Sequence, residues 1–501
     1  MPHILNANQA PKVGNDLVKP LLVMLSLLTV IGNPVEGKYR TIQVLESTRS
    51  LGAGELASYL NGSDRALAAR AALAIGRTKQ PAGVSLLTPH LAEANSGLRA
   101  MVVYALGLIG TGEGAPQITL TLARDPSATV RIAALDALGR FEVAKVLAPP
   151  AEANASRGIV ASLHGDDNAT VRARAATALE AFHNGVTGNF VSRELVKAIK
   201  AERDANVRWH IMWSIFRGYA TRVPRSVLTG GLHDKDETVR IEAVRAYGRL
   251  KNRNAIPALQ PLTRDSSWRV QEQALESINT LSGKPPTQHL TSIAPGVHTP
   301  PVRSQTFTEI VPLPRPSVTG KPMRPDATQV RAELKLNPAS AAFMSGPMPG
   351  PHPAVRVKTT KGAFVLKLYP EWAPLTVANF LSLTNRGYYD GLRWFRIVPD
   401  FVVQTGDPND NGEGDAGYTI PAEENPLEQG SGVLSMGLNY DGNHPLRDSA
   451  GTQFYITLSP QLHLNRDFTV FGQVTSGFDV LGRLVESDRM TRVEQIPDTN
   501  E

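Results

Sequence analysis

The sequence contains no cysteine, which excludes disulfides, thiolate metal sites and cysteine nucleophiles while leaving the compartment open. Aromatic residues make up only 6% of the chain, and its eleven histidines are scattered without paired metal-ligand spacing. No Ser-His-Asp arrangement and no Gly-rich phosphate loop is evident, so neither a cofactor nor a metal is implied. Charge of one sign is also scarce, at +6 over 501 residues. No basic patch interleaved with aromatics marks a nucleic-acid surface. The apolar run LLVMLSLLTVI (residues 21–31) falls short of the roughly 20 apolar residues that span a bilayer.

What is present exceeds one hydrophobic core. A chain of 501 residues with 42% hydrophobic content predicts two or more ordinary globular units. Lys12 and Lys19 precede the apolar run, and Val35-Glu36-Gly37 follows with small residues at signal-peptidase spacing. Residues 1–37 therefore read as a secretory signal, with export to a periplasmic or extracellular location. The alternative is a cytoplasmic protein whose apolar helix caps the next domain. Membrane contact is expected only through this segment.

Between residues 50 and 281 the chain repeats itself: DPSATVRIAALDALGRF from Asp125, DDNATVRARAATALEAF from Asp166 and DKDETVRIEAVRAYGRL from Asp234. The acid, the Val-Arg pair and an apolar helix recur, with register arginines at Arg70, Arg99, Arg131, Arg172, Arg208 and Arg240 and Gln271 in the last copy. Val130, Ala133, Ala134, Ala137 and Leu138 lie on one helical face, and Asp125 faces the positive end of that helix. Such a period, with two helices per unit, predicts an α-solenoid over residues 38–282. It resembles HEAT repeats of the short, bilin-lyase-like type, which implies a surface for an unknown protein partner. The arginines read as pairing with the acid of an adjacent repeat rather than as a ligand ladder. Trp209, Trp213, Phe216 and Tyr219 read as core or as a local widening of the binding face.

Residues 283–354 hold 15 of the 37 prolines, with seven Lys or Arg against three Asp or Glu. Proline at this density blocks continuous helix and sheet, so the segment reads as an extended linker carrying most of the excess charge.

The last third changes period. In AFVLKLY, Phe364, Leu366 and Leu368 share one face, predicting a strand that opens a C-terminal domain over residues 355–493, with a tail at 494–501. Pro374 suits a first helical turn, and Val377, Phe380, Leu381 and Thr384 trace a stripe ending before Gly387. A second helical segment is predicted at 478–486. Three motifs then stand in order: FRIVPDFVVQTGD (395–407), GTQFYI (451–456) and DFTVFGQV (467–474). Together they resemble the cyclophilins, peptidyl-prolyl cis/trans isomerases. That resemblance implies a closed antiparallel β-barrel capped by two helices.

The chemistry of such an activity is narrow. Amide resonance makes rotation cost about 18–20 kcal/mol, and X-Pro bonds are those whose two isomers lie close in free energy. A catalyst needs a fixed cationic donor aimed at the prolyl nitrogen and an apolar pocket for the ring. By resemblance Arg396 is the donor. Phe401, Val402, Tyr455 and Leu464 line the pocket, Gln404 and Gln453 orient the client backbone, and Gly437 and Leu438 clasp the residue before proline. His463 and Phe468 complete the substrate-binding set, and proline-containing polypeptides are the clients.

The chain departs from the family pattern at several positions. Phe395 stands where histidine is usual, Asp400 where glycine is usual, and Phe468 where a pocket histidine is common. Tyr455 replaces phenylalanine, the 438–450 loop is longer than usual, and His463 replaces the tryptophan of cyclosporin-binding members, which implies weak cyclosporin sensitivity. DPNDNGEGD (407–415) imitates a calcium loop but offers Tyr418 where the bidentate glutamate belongs, so it reads as a barrel loop. The sequence predicts an isomerase assisting protein folding, with a solenoid for partners. The alternative is a non-catalytic scaffold whose pocket only reads proline peptides.

Overall fold

The computed structural model describes residues 34–284, 352–441, 444–465 and 467–497. The apolar run and almost all of the linker lie outside these residues.

Helices from Pro34–Ser47 to Trp268–Ser282 stack in successive layers. Their starts follow from the sequence: Asp64, Asn95, Asn168, Asp204 and Asp236 accept backbone N–H groups at the helix entrances. Small residues bring the layers close. A Cβ on Gly107 would stand 2.8 Å from the Ala137 Cα of the next layer.

The repeated arginine makes a recurring clamp. Arg99 forks onto Asp125, Arg131 onto Asp166, Arg172 onto Glu202, Arg208 onto Asp234 and Arg240 onto Asp265, at 2.7–3.2 Å. Each also donates to a carbonyl five or six residues upstream, as Arg131 does to the Asp125 carbonyl (3.0 Å). Asp125 in turn accepts the Ser127 N–H (2.9 Å), fixing the entrance to the helix Ala128–Val143. Gln271 keeps the upstream carbonyl bond (2.6 Å). Arg70 differs, pairing back onto Glu46 of the first helix.

The C-terminal domain opens one strand earlier than the alternation at Phe364 predicts. β1 (Ala354–Thr359) pairs with β2 (Gly362–Leu368). β3 (Arg396–Val398), β4 (Val402–Thr405), β5 (Val433–Met436), a hairpin of β6 (Tyr440–Asp441) and β7 (His444–Pro445), β8 (Phe454–Thr457), β9 (Val470–Ser476) and β10 (Met490–Ile496) follow. The sheet is antiparallel in the order β10-β1-β2-β9-β5-β8-β4-β3. It is a half-barrel: β3 has three residues before Pro399 and forms no ladder with β10, and the two edges meet at an isolated bridge between Arg393 and Arg489. Pro374–Asn385 forms the predicted helix, whereas the second helix is the single turn Phe478–Leu481 with Gly482 at its end. Phe380, Tyr389, Trp394, Phe454 and Phe471 fill the interior edge to face.

The two regions are packed together. Trp372, Leu427, Val433, Leu462 and Val470 join the apolar core of the solenoid. Arg77, fully buried, donates to the carbonyls of Glu424 (2.7 Å), Trp372 (2.7 Å) and Glu423 (3.0 Å) and pairs with Glu46. Arg447 donates to the Arg77 carbonyl (3.0 Å) and forks onto Glu424, which Lys79 also reaches (3.1 Å). Burial would raise the Glu424 carboxyl, but these cations hold it well below the usual range. Arg49 pairs with Asp448, and Arg174 with Glu428.

Candidate functional site

β-sheet register builds the site. Arg396 on β3 stands opposite Gln404 on β4, Gln404 opposite Tyr455 on β8, and Tyr455 opposite Ser435 on β5. Alternation along β4 points Gln404 to the Arg396 side and leaves Val402 on the same face, two residues earlier.

From there a chain of hydrogen bonds fixes the polar groups. Arg396 Nη1 donates to Gln404 Oε1 (3.1 Å), Gln404 Nε2 donates to Gln453 Oε1 (3.1 Å), and Gln453 Nε2 donates to the carbonyls of Gly412 (2.8 Å) and Gly414 (3.1 Å). The loop carrying those carbonyls is stapled by Asp407, whose fully buried carboxylate accepts the N–H groups of Asn409 (2.7 Å), Asn411 (2.9 Å) and Gly412. The imitation calcium loop is thus a barrel loop held by its own aspartate. Among the described residues no group of three His, Asp or Glu side chains could hold a metal.

Arg396 is exposed, and its guanidinium lies 5.4 Å from the centre of the Phe401 ring. Beside it, Val402, Tyr455, Leu464 and Phe468 form an apolar cluster separate from the barrel interior, with Phe401 and Leu438 packed at its edge. Tyr455 and Phe468 meet edge to face at 5.6 Å. Burial pushes the Tyr455 phenol well above its ordinary value, keeping it neutral. Gly437 donates its N–H to the Gln453 carbonyl (2.8 Å), and a Cβ there would come within 3.1 Å of the Gln453 Cβ. All eleven residues picked from the sequence therefore gather in one region.

Sequence reasoning missed the side facing the solenoid. His463 stacks on Phe401 (5.7 Å between centres, 15° between planes). Burial first, then Arg217 and Arg245, pushes its imidazole down to about 4. Asp400 adopts a left-handed backbone (φ 55°), which explains why glycine suits this position. Its carboxylate joins Arg245 (2.9 Å) and Arg269 (2.8 Å), while its carbonyl accepts Ser459 Oγ (2.5 Å) and Gln461 Nε2 (2.9 Å). Asp407 was missed as well, although its DPNDNG context held the signal.

Residues 354–499 match the family described as cyclophilin type peptidyl-prolyl cis-trans isomerase/CLD. Residues 54–139 and 224–307 match HEAT repeats. The chain is 46% identical to peptidyl-prolyl cis-trans isomerase B of Bacillus subtilis over 129 residues, 25% of this chain and 86% of the relative. It is 38% identical to a peptidyl-prolyl cis-trans isomerase of Synechococcus elongatus over 144 residues, 28% of this chain and 95% of the relative. A solved cyclophilin type isomerase of Cryptosporidium parvum aligns over 29% of this chain and 99% of its own, with 26% identity and a TM-score of 0.28.

Proposed function

The chain belongs, through its C-terminal domain, to the cyclophilin-type peptidyl-prolyl cis-trans isomerases, and we propose that Arg396 is the donor that weakens amide resonance in its clients. As the C–N bond twists, the nitrogen lone pair localises, and a guanidinium N–H placed beside it stabilises that state more than the planar ground state. Gln404 aims the guanidinium, and Gln453 with its loop aims Gln404. The apolar cluster of Val402, Leu464, Phe468 and the Tyr455 ring grips the proline, with Phe401 and Leu438 at its edge. Because the Gly437 N–H is committed to Gln453, contact with the residue before proline falls to the Gly437 carbonyl and the Leu438 backbone.

The observation that carries this reading is an exposed arginine, oriented by one glutamine and lying over Phe401 at the mouth of a separate apolar cluster. The isomerisation rate of a short X-Pro peptide tests it. Removing one preorganised donor costs roughly 3–4 kcal/mol elsewhere, so Arg396→Ala should lose on the order of a hundredfold or more in kcat/KM. Equal rates in both proteins would favour the proline-peptide reader.

The wider reading assigns residues 1–37 to an export signal, 38–282 to the partner-binding solenoid, 283–354 to a tether and 355–493 to the isomerase. Cleavage after Gly37 would remove the first turn of Pro34–Ser47 and keep Tyr39, Ile42 and Leu45, which are buried. A mature protein starting at Lys38 is the expected outcome of N-terminal sequencing. The closed barrel capped by two helices also belongs to this reading. In its support, Trp394 donates to the Asp488 carbonyl (3.1 Å) beside the Arg393–Arg489 bridge.

A further inference from the structure

A cavity of about 230 Å³ lies between the two regions, directly behind the pocket wall. His463 belongs to both spaces: one face of its ring stacks on Phe401, and the side chain also lines the cavity. The opposite wall comes from the solenoid, where Trp213 and Arg217 face the space. Arg217 sits in a π-helical turn, Ile215–Tyr219, a local widening of the helix that recurs at functional positions. Its guanidinium lies 5.9 Å from the centre of the Trp213 ring. Its Nε is buried without a partner, and among the described residues Arg217 forms no ion pair. Arg174 in the same wall is satisfied, by Asp136 (3.4 Å) and by Glu428. The other acids of the cavity, Glu180 and Asp467, lie respectively 4.0 Å from His183 and exposed to solvent.

We propose that this cavity is a client subsite supplied by the solenoid, taking an acidic side chain that flanks the target proline and pairing it with Arg217 above the Trp213 ring. The inference rests on the isomerase reading for the position of the proline. A carboxylate in the cavity would pair with the Arg217 guanidinium, and a desolvated, charge-assisted bond to arginine is worth more than an exposed one. Burial first, and after it the charges of Arg217 and Arg245, disfavour a proton on His463, so the same field also reaches the pocket wall. The barrel thus supplies the rotation chemistry, and the solenoid adds selectivity for what lies next to the bond.

The test compares full-length chain on peptides carrying Glu or Lys at each of the three positions on either side of one proline, reading both kcat/KM and affinity. At one or more positions Glu should be preferred over Lys by about tenfold at low salt, and the preference should shrink as salt rises. Arg217→Gln should bring that ratio near one, and Arg217→Glu should invert it, which a merely structural role would not do. A wild-type ratio near one at every position, or a ratio unmoved by both variants, would overturn the proposal. Affinity keeps the two readings apart. Preference and inversion in binding without turnover would sink the isomerase reading alone, and turnover without preference would sink the subsite alone.

Discussion

The two walls of the proline pocket have different origins. Arg396, Gln404, Gln453 and the Asp407 loop belong to the barrel and hold one another through hydrogen bonds that never leave it. The wall at Asp400 and His463 faces the solenoid, where Arg245, Arg269 and Arg217 set its geometry and charge. The first wall keeps the family pattern at the donor. Three of the six departures from the resemblance lie on the second wall: Asp400, His463 and the 438–450 loop, whose Arg447 and Asp448 reach Arg77 and Arg49.

The difference between buried and half-buried arginines sharpens this comparison. Arg77→Ala would strip Glu46 of one of its two cations and take a donor from the carbonyls of Trp372, Glu423 and Glu424, of which Glu423 keeps Asn425, so it should cost about 3–5 kcal/mol in urea unfolding. Asp400→Gly keeps the left-handed backbone but removes the shared partner of Arg245 and Arg269. A loss of about 2 kcal/mol, seen as melting that splits toward two transitions, is expected. Asp407→Ala should loosen the loop behind Gln453 and lower kcat/KM by roughly tenfold, because small displacements of an aimed donor are costly. Arg131→Ala, in the partly buried clamp of the solenoid (side chain 17% exposed), should cost less, about 1–2 kcal/mol. If Arg131→Ala proved as damaging as Arg77→Ala, the distinction between repeat clamp and interface would collapse.

The arginine ladder was legible because it is periodic: one register residue, read six times, pairs in five with the acid of the following unit, while Arg70 turns back to Glu46. Seven of the eleven residues picked for the pocket lie within three short motifs that strand register brings together, whereas Gly437, Leu438, His463 and Leu464 lie outside them and came from the resemblance alone. Arg77, Arg245 and Arg269 carried no such signal. They lie off the register positions, and their partners in the C-terminal domain are more than a hundred residues away, so no local pattern could join them. The opening strand β1 was missed because its pairing with β10 depends on the far end of the domain, and the second helix was overextended past Gly482. The tether implied by the prolines lies almost wholly outside the described residues, whereas the regions on either side of it make a packed contact. Trp213 was read as core or binding face; it is buried and lines the cavity.

Acid should weaken the second wall selectively. His463 titrates near 4 in the folded chain against 6.5 when unperturbed. Between those values the unfolded chain binds the proton that the folded chain refuses, so stability falls as pH drops from about 6.5 to 4 and is unaffected by this group above 6.5. The effect is on the order of 3 kcal/mol.

The most direct test of the account is the titration of His463 by NMR, in the full chain and in a fragment of residues 352–501. The Bacillus subtilis relative aligns with this region over 86% of its own length. Docking against the solenoid predicts a value near 4 in the full chain and a return toward 6.5 in the fragment, where Arg217 and Arg245 are gone and the ring is wetter. The same value in both would contradict the account, because the wall at His463 would then owe nothing to the solenoid.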